Sequence, residues 1–289
     1  MSSKSLKEQL QNWKAKKLPF SRKVATERNI SKTKSAKRND KFSRAPSIQN
    51  PIRALAHRRN IQALYHFTPS VNLEGILTKG ILPRSSLEPG PRGRAPIFND
   101  NYRADRCLDA SCCTIGFPNY QAFYKFQQKD PQKIWAVILL DPALLWSSPC
   151  LFNDTNAANK DCSSMDRNRR ATVNALEQMF ADRKLNPSSN SKGGLRDYLG
   201  LEDCMTTDPQ AEVLIVDQVP VTSILSVCFK SRSEQQEVEC RLPNHLKNKV
   251  RLFVDKVSFE PREDWEHWQR NRKVIPDNVG GDLDDEIPF

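Results

Sequence analysis

The chain has 289 residues and a formal net charge of +11, which is distributed unevenly. Residues 1–60 hold 17 Lys and Arg against three acidic residues, whereas residues 275–289 hold five acidic residues and no Lys or Arg. The body, 61–274, carries a net charge of only +2. No run approaches the roughly 18 apolar residues of a membrane-spanning helix, and the N-terminus lacks the apolar region of a secretory signal. We therefore expect a cytoplasmic protein without a membrane partner.

The eight cysteines show neither a disulfide framework nor the paired spacing of a zinc site. None of them belongs to a C-x-x-C pair, which is the commonest sign of bound zinc. Free thiols are typical of the reducing cytosol. The sequence therefore predicts no metal.

Residues 1–60 are rich in Lys, Arg, Ser and Asn and poor in bulky apolar side chains. Such a segment buries too little surface to offset the entropy of ordering, so we predict a largely disordered basic arm. Within it, Leu6, Leu10 and Trp13 have the spacing of a short amphipathic helix. A basic arm binds nucleic acid through its phosphates. The alternative is a solubilising tail, but a net charge of +14 favours nucleic acid.

From residue 61 the pattern becomes that of a folded domain. Apolar runs predict strands at 61–67, 107–117, 134–141, 212–217 and 221–229. Start and stop signals predict helices at 69–79, 168–182 and 261–270. The run at 134–141 is almost entirely apolar, which indicates a central strand. The mixture predicts an α+β fold with a domain at 61–260, a terminal helix within 261–275, and an acidic linker and tip at 276–289.

Two groups of polar residues in the body are candidates for ligand binding. His66, Thr68 and Asn72 lie at a predicted strand-to-helix junction, where hydroxyl, amide and imidazole groups can bind a polar ligand. Arg103 and Arg106 lie in a loop before a predicted strand, and arginine can hold a diphosphate through two parallel hydrogen bonds. An isolated histidine is more often structural than catalytic. Neither of the two groups is by itself a strong indication of a binding site.

A third candidate is Glu212, the acidic residue at the head of the apolar strand that follows it. A carboxylate at the start of a buried strand can act on a proton or on a developing positive charge in a cleft. The alternative is a solvated side chain at a strand end. The order of the three groups along the chain carries more information than any one of them.

Four segments of the body match, in order, the motifs of one enzyme family. Residues 63–77, ALYHFTPSVNLEGIL, contain an H-x-T element and an Asn-Leu pair. TIGFPNY at 114–120 is similar to the motif S-I-S-F-P-N-Y, and WAVILLDP at 135–142 to the next strand. QAEVLI at 210–215 matches an A-E-V-L element. Over about 61–230 the chain thus resembles the DarT family of DNA ADP-ribosyltransferase toxins.

The resemblance implies an ADP-ribosyltransferase-like mixed sheet, NAD as co-substrate and no metal. Glu212 matches the catalytic glutamate of the family, and Arg103 is implied to help the reaction at the base; Arg106 is the alternative because the register of its loop is not fixed. The residues implied to bind NAD are His66, Thr68, Asn72 and Arg103. The sequence departs from the family at 113–116, where CTIG replaces the usual serines and only Thr114 keeps a hydroxyl.

The implied activity is transfer of ADP-ribose from NAD to a base in single-stranded DNA, since bases are reachable only outside a duplex. Tyr120, Tyr124 and Lys125 are the residues that we expect to contact the DNA. RNA is the closest alternative substrate, and a non-catalytic adaptor that binds single-stranded nucleic acid is an alternative of a different class. The family further implies a bacterial toxin or phage-defence effector at the nucleoid, paired with a separate macrodomain antitoxin.

The last nine residues, GDLDDEIPF, are similar to the C-terminal tip of bacterial single-stranded-DNA-binding protein. In such a tip the terminal Phe fills an apolar pocket while its carboxylate and the preceding acids meet basic residues. The residues expected to bind are Asp284, Asp285, Ile287, Pro288 and Phe289. We therefore expect docking onto proteins that bind this tip; the alternative is an acidic tail with no specific partner.

Overall fold

The computed structural model describes residues 50–87, 96–98, 103–184 and 194–272. The basic arm up to residue 49, the helix predicted within it and the acidic tip lie outside the described residues, as does most of the loop at 186–194.

The strands of the described residues form one mixed sheet. They are β1 (Leu64–Pro69), β2 (Ala110–Ile115), β3 (Trp135–Leu140), β4 (Cys150–Asn153), β5 (Glu212–Val216), β6 (Ile224–Phe229) and β7 (Arg251–Val254). Their order is β4-β5-β2-β1-β3-β6-β7. All pairs are antiparallel except β6 and β7, which are parallel. The predicted α+β fold is confirmed.

Short helices surround this sheet. They are α1 (Pro51–Arg58), α2 (Leu73–Lys79), α3 (Tyr120–Lys129), α4 (Leu144–Ser147), α5 (Lys160–Ser163), α6 (Arg167–Arg170), α7 (Val173–Gln178), α8 (Leu195–Leu199), α9 (Arg232–Arg241), α10 (Asn244–Lys247) and α11 (Trp265–Arg272). In the part of the chain that the structure describes, none of the helices has the length and apolar character needed to cross a membrane.

Helix α1 places the end of the predicted arm inside the fold. The Asn50 side chain caps this helix by accepting from the Ile52 and Arg53 amides. Leu55 and Ala56 are buried in the main core. The segment predicted to be disordered up to residue 60 therefore includes a packed helix, because its apolar residues, though few, lie on one helix face.

The central position predicted for the apolar run at 134–141 is confirmed. β3 lies between β1 and β6, and its side chains alternate between two cores, one on each face of the sheet. The residues on one face are Ala136, Ile138 and Leu140, and those on the other are Trp135, Val137 and Leu139. A strand with apolar neighbours on both faces needs an unbroken apolar run.

The helix predicted to begin at Pro69 begins instead at Leu73. Pro69 is the last residue of β1 and pairs with Trp135, so strand pairing continues through the expected cap at Thr68. A 3₁₀ turn, Ser70–Asn72, then leads into α2, and Gly80 ends that helix as predicted, with φ of 88°. The later helix start brings the side chains of β1 and the turn towards the same cavity, described below.

Other predicted boundaries move for local reasons. The helix predicted at 168–182 is divided into α6 and α7, because Thr172 is extended and its hydroxyl caps α7 by accepting from Ala175 N at 3.1 Å. The terminal helix starts at Trp265, after a buried ion pair between Arg262 and Asp264. The sequence did not predict β4, β7 or α9.

Gly116 ends β2 in a conformation that only glycine adopts readily. Its φ is 78°, and an added Cβ would lie 2.5 Å from the Cys204 carbonyl oxygen. We expect Gly116→Ala to lower the free energy of unfolding by about 3 kcal/mol. Gly200 also has a positive φ, of 63°, but open space around it, so Gly200→Ala should cost only about 1 kcal/mol. Thermal denaturation of both variants measures the difference, and equal losses would contradict this account of Gly116.

Candidate active site

A cavity of about 270 Å³ lies beside β1, α2 and the segment that leads into β2. The wall of this cavity includes the candidate residues of the sequence analysis, which are His66, Thr68, Asn72, Arg103 and Glu212. Apolar side chains, including Ile76 and Phe126, line other parts of the wall. The fold thus brings the three polar groups predicted separately into one concave site.

Glu212, the first residue of β5, is held at both carboxylate oxygens. Oε1 accepts from Asn119 Nδ2 at 3.3 Å, and Oε2 accepts from the Ala157 backbone N–H at 2.9 Å. The main-chain oxygen of Glu212 accepts from Asn153 Nδ2 at 3.0 Å, across the pairing of β4 with β5. The orientation of the carboxylate is therefore fixed by two separate parts of the chain, the start of α3 and the turn after β4.

Burial is the main cause that raises the pKa of Glu212, from an ordinary value of 4.5 to about 7. The hydrogen bonds from Ala157 and Asn119 stabilise the charged form and limit the rise. The nearby Asp105 carboxylate raises the pKa further, and the Arg103 guanidinium lowers it. The carboxyl group therefore titrates near neutral pH, as ionisable groups at active sites often do.

The ADP-ribosyl transfer that the sequence predicts requires the charged form of Glu212. We therefore expect the rate of this transfer to rise with pH through about 7. Below that pH the rate should fall almost tenfold per unit, because the protonated acid carries no charge with which to stabilise a cation. Initial rates measured between about pH 5.5 and about pH 8.5 at saturating substrate provide the test. A flat profile over this range would contradict the assignment.

His66, in the middle of β1, contributes a neutral imidazole. Its Nδ1 lies 2.8 Å from the Cys112 carbonyl oxygen, which can only accept, so Nδ1 carries the proton and Nε2 is an acceptor. Burial lowers the pKa of His66, and the Arg103 charge lowers it further, against the opposing effect of the Cys112 hydrogen bond. The ring can therefore accept a hydrogen bond from a polar ligand at neutral pH.

The Asn72 side chain holds a loop as well as lining the cavity. Its Oδ1 accepts from Ile97 N at 3.0 Å, and its Nδ2 donates to Ile97 O and to Thr68 Oγ1, both at 2.9 Å. The amide thus pairs with the Ile97 backbone much as a neighbouring strand would. Asn72 shapes the wall formed by Pro96, Ile97 and Phe98.

Arg103 forms a two-pronged ion pair with Asp105, its neighbour on the cavity wall. Nε donates to Oδ1 at 2.9 Å and a terminal nitrogen donates to Oδ2 at 2.6 Å, while further bonds go to the carbonyls of Cys107 and Ala110. Arg106 is exposed, has a φ of 58° and is absent from the wall. The geometry favours Arg103 over Arg106 as the arginine of the site.

The expected DNA contact by Tyr120 is corrected by the structure. Tyr120, the first residue of α3, is 8% exposed, so its ring offers no face to a base. Tyr124 is 52% exposed, and Lys125 is half-buried. Ala122 and Phe126 of the same helix line the cavity, whereas Tyr124 lies about 200° around the helix from each.

The structure also places in the site residues that the sequence did not single out. Asn119 lies within the recognised FPNY segment, but nothing in the pattern indicated that its amide reaches Glu212. Asp105 and the Ala157 N–H are further examples. The hydroxyl of Thr114, the one that is kept at 113–116, donates to Phe117 O at 2.7 Å. Within the described ranges no three His, Cys, Asp or Glu side chains are grouped to hold a metal ion.

Comparison with solved structures gives matches that share 15% sequence identity with the chain. Thermosipho africanus DarTG in complex with ADP-ribose matches over 68% of this chain and 51% of that chain, with a TM-score of 0.45. Thermus sp. 2.9 DarT matches in complex with carba-NAD⁺ (69% and 98%, TM-score 0.44) and with ADP-ribosylated ssDNA (70% and 97%, TM-score 0.46). The chain spans about half the length of the DarTG chain. A search of curated proteins found no match.

The class of protein that the sequence matches is that of ADP-ribosyltransferases of single-stranded DNA, as the sequence predicted. The family model described as "ssDNA thymidine ADP-ribosyltransferase, DarT" matches residues 65–266, well over half of the chain. The chain therefore belongs to the DarT family.

Proposed function

We propose that this protein binds NAD in the cavity and transfers the ADP-ribose group of NAD to a base of single-stranded DNA. The proposed acceptor is thymidine, the nucleoside for which the family is described. The observation that carries this proposal is the Glu212 carboxylate. It is held at both oxygens in the same cavity as Arg103 and the neutral His66.

Glu212 is the catalytic residue in this account. As the bond between nicotinamide and the ribose carbon breaks, positive charge develops on the sugar, and a carboxylate stabilises it. The Asn119 and Ala157 donors keep the carboxylate in place beforehand, so little reorganisation is needed during the reaction. A new bond forms from the ribose carbon to a base nitrogen, nicotinamide departs with the electrons of the old bond, and the proton of the base nitrogen passes to water.

The residues proposed to bind NAD are Arg103, His66 and Asn72, together with the loop that the Asn72 side chain holds. Arg103 supplies positive charge for the diphosphate, and its pairing with Asp105 keeps the guanidinium plane fixed. His66 Nε2 accepts from a ligand hydroxyl or amide. Asn72 and Thr68 act together, since the Asn72 amide bonds both to Thr68 and to Ile97.

The substrate class can be tested by incubating the protein with NAD labelled in its adenosine portion and with single-stranded DNA, duplex DNA, RNA or protein. We expect label on single-stranded DNA and none with Glu212→Ala. Label on RNA in preference to DNA would support the alternative substrate. Tight binding of single-stranded DNA without any label would support the non-catalytic adaptor.

The two charged ends are proposed to direct the enzyme to its substrate. The basic arm adds non-specific affinity for the strand, and the C-terminal tip docks onto proteins that bind the tip of single-stranded-DNA-binding protein. The support is the charge of the arm and the terminal Ile287, Pro288 and Phe289. Deleting these three residues should abolish capture of purified tip-binding proteins, and unchanged capture would refute the docking proposal.

The biological setting proposed is that of a bacterial toxin or phage-defence effector in the cytoplasm, at the nucleoid, where single-stranded DNA is exposed. A separate macrodomain protein would remove the mark. The support is the family, since DarT members modify DNA. Co-expression with a macrodomain protein should restore the growth of cells that produce the enzyme, and continued toxicity would contradict this pairing.

A further inference from the structure

Asn119 uses the two ends of its side-chain amide for different purposes. Its Oδ1 accepts from Ala122 N at 3.2 Å and so caps α3. Its Nδ2 donates to Glu212 Oε1 at 3.3 Å. The residue is 1% exposed, so both bonds are shielded from water. Ser, Thr and Asp also cap helices, but among these capping side chains only Asn combines the cap with an N–H donor.

We infer that Asn119 is a positioning residue, which fixes the Glu212 carboxylate for catalysis by tying it to the start of α3. This inference deepens the proposed function and rests on it, because Glu212 is the catalytic group there. Asn119 itself touches neither NAD nor DNA in this account. Its effect passes entirely through the orientation and the charge of Glu212.

The other groups around Glu212 make this donor important. Among the described residues, the charged or titratable side chains that interact electrostatically with Glu212 include Arg103, Asp105, Cys112, Cys113 and Cys162. Burial raises the pKa of the three thiols, so they are neutral and cannot stabilise the carboxylate as ions. Arg103 is the cation of this set, and its charge is paired with that of Asp105. The two hydrogen bonds from Asn119 and Ala157 therefore carry much of the stabilisation of the charged form.

Two substitutions separate this role from helix capping. Asn119→Ser keeps a capping oxygen but removes the amide N–H that donates to Glu212, and the shorter serine hydroxyl is engaged by the cap. Asn119→Asp also keeps the cap but places a second carboxyl group against Glu212, and two adjacent carboxyl groups do not ionise together readily. Ser231→Ala is the control for a lost cap, because Ser231 caps α9 through a bond to Glu234 N at 3.3 Å.

The test measures the titration of Glu212 without depending on activity. Carboxyl ¹³C NMR of the full chain labelled with [¹³C]glutamate gives the titration, and the signal missing from Glu212→Gln identifies the residue. We expect the midpoint to move upward by about half a pH unit in Asn119→Ser and by about one unit or more in Asn119→Asp. It should not move in Ser231→Ala. An unchanged midpoint in both Asn119 variants would overturn the inference.

Kinetics then connect this effect to the reaction. The pH at which kcat is half-maximal should move with the NMR midpoint, while KM for NAD stays within about twofold. A change confined to KM would also overturn the inference. If wild-type protein transfers no label while the NMR midpoint still shifts, the proposed function fails and the contact between Asn119 and Glu212 stands.

Discussion

We expect the substitution Glu212→Gln to lower kcat for ADP-ribosylation of single-stranded DNA by a factor of about 10³ or more. Gln has nearly the shape of Glu, and its amide oxygen can still accept from Asn119 or Ala157. What the substitution removes is the negative charge that we propose stabilises the ribose carbon. Single-turnover rates with saturating NAD and oligonucleotide, measured at about pH 8 where wild-type Glu212 is charged, isolate this effect.

The matched control is Glu177→Gln. Glu177 forms an exposed ion pair with Arg58, so its loss should change neither the rate nor the stability by a measurable amount. If Glu212→Gln retained more than about a tenth of the wild-type rate at that pH, the carboxylate would not be the main source of catalysis.

The second large effect concerns Arg103. We expect Arg103→Lys to lower kcat/KM by about 10²-fold, because an ammonium group cannot reproduce the planar fork that bonds both oxygens of Asp105. The positive charge opposite this buried carboxylate is kept, so the fold is retained better than in Arg103→Ala, which would leave Asp105 unpaired. Steady-state kinetics with NAD varied at saturating DNA give the value.

Arg106→Lys serves as the comparison. Arg106 is exposed and does not line the cavity, so this variant should keep the wild-type kcat/KM within about twofold. The opposite result, with Arg106→Lys inactive and Arg103→Lys active, would assign the site to the other arginine of the loop.

The parts of the fold that rest on local patterns could be predicted from the sequence. The run from Trp135 to Leu140 is apolar throughout, and a strand with this pattern has no polar face for solvent, so its central position follows. Glu212 could also be identified from the sequence, because it is a single acidic residue at the start of an apolar strand. Gly80 ends α2 because the backbone at this helix end has a positive φ, which glycine adopts readily.

The parts that depend on contacts distant in sequence could not be predicted in this way. Asn119 is 93 residues from Glu212, and the Ala157 N–H that completes the site comes from a turn with no distinctive side chain. Tyr120 shows a second limit, because a motif does not indicate which way a side chain at a helix start points. Pro69 shows a third, since pairing with β3 overrides the local signal for a helix start.

In the proposed reaction, Glu212, held in this cavity, drives transfer of ADP-ribose from NAD to a base of single-stranded DNA. Mass spectrometry of a thymidine-containing single-stranded oligonucleotide, after incubation with NAD and either wild-type protein or Glu212→Gln, tests it most directly. We expect an adduct of one ADP-ribose located on a thymidine base with wild-type protein, and none above background with the variant. An unmodified oligonucleotide with wild-type protein, or equal modification by both proteins, would contradict it.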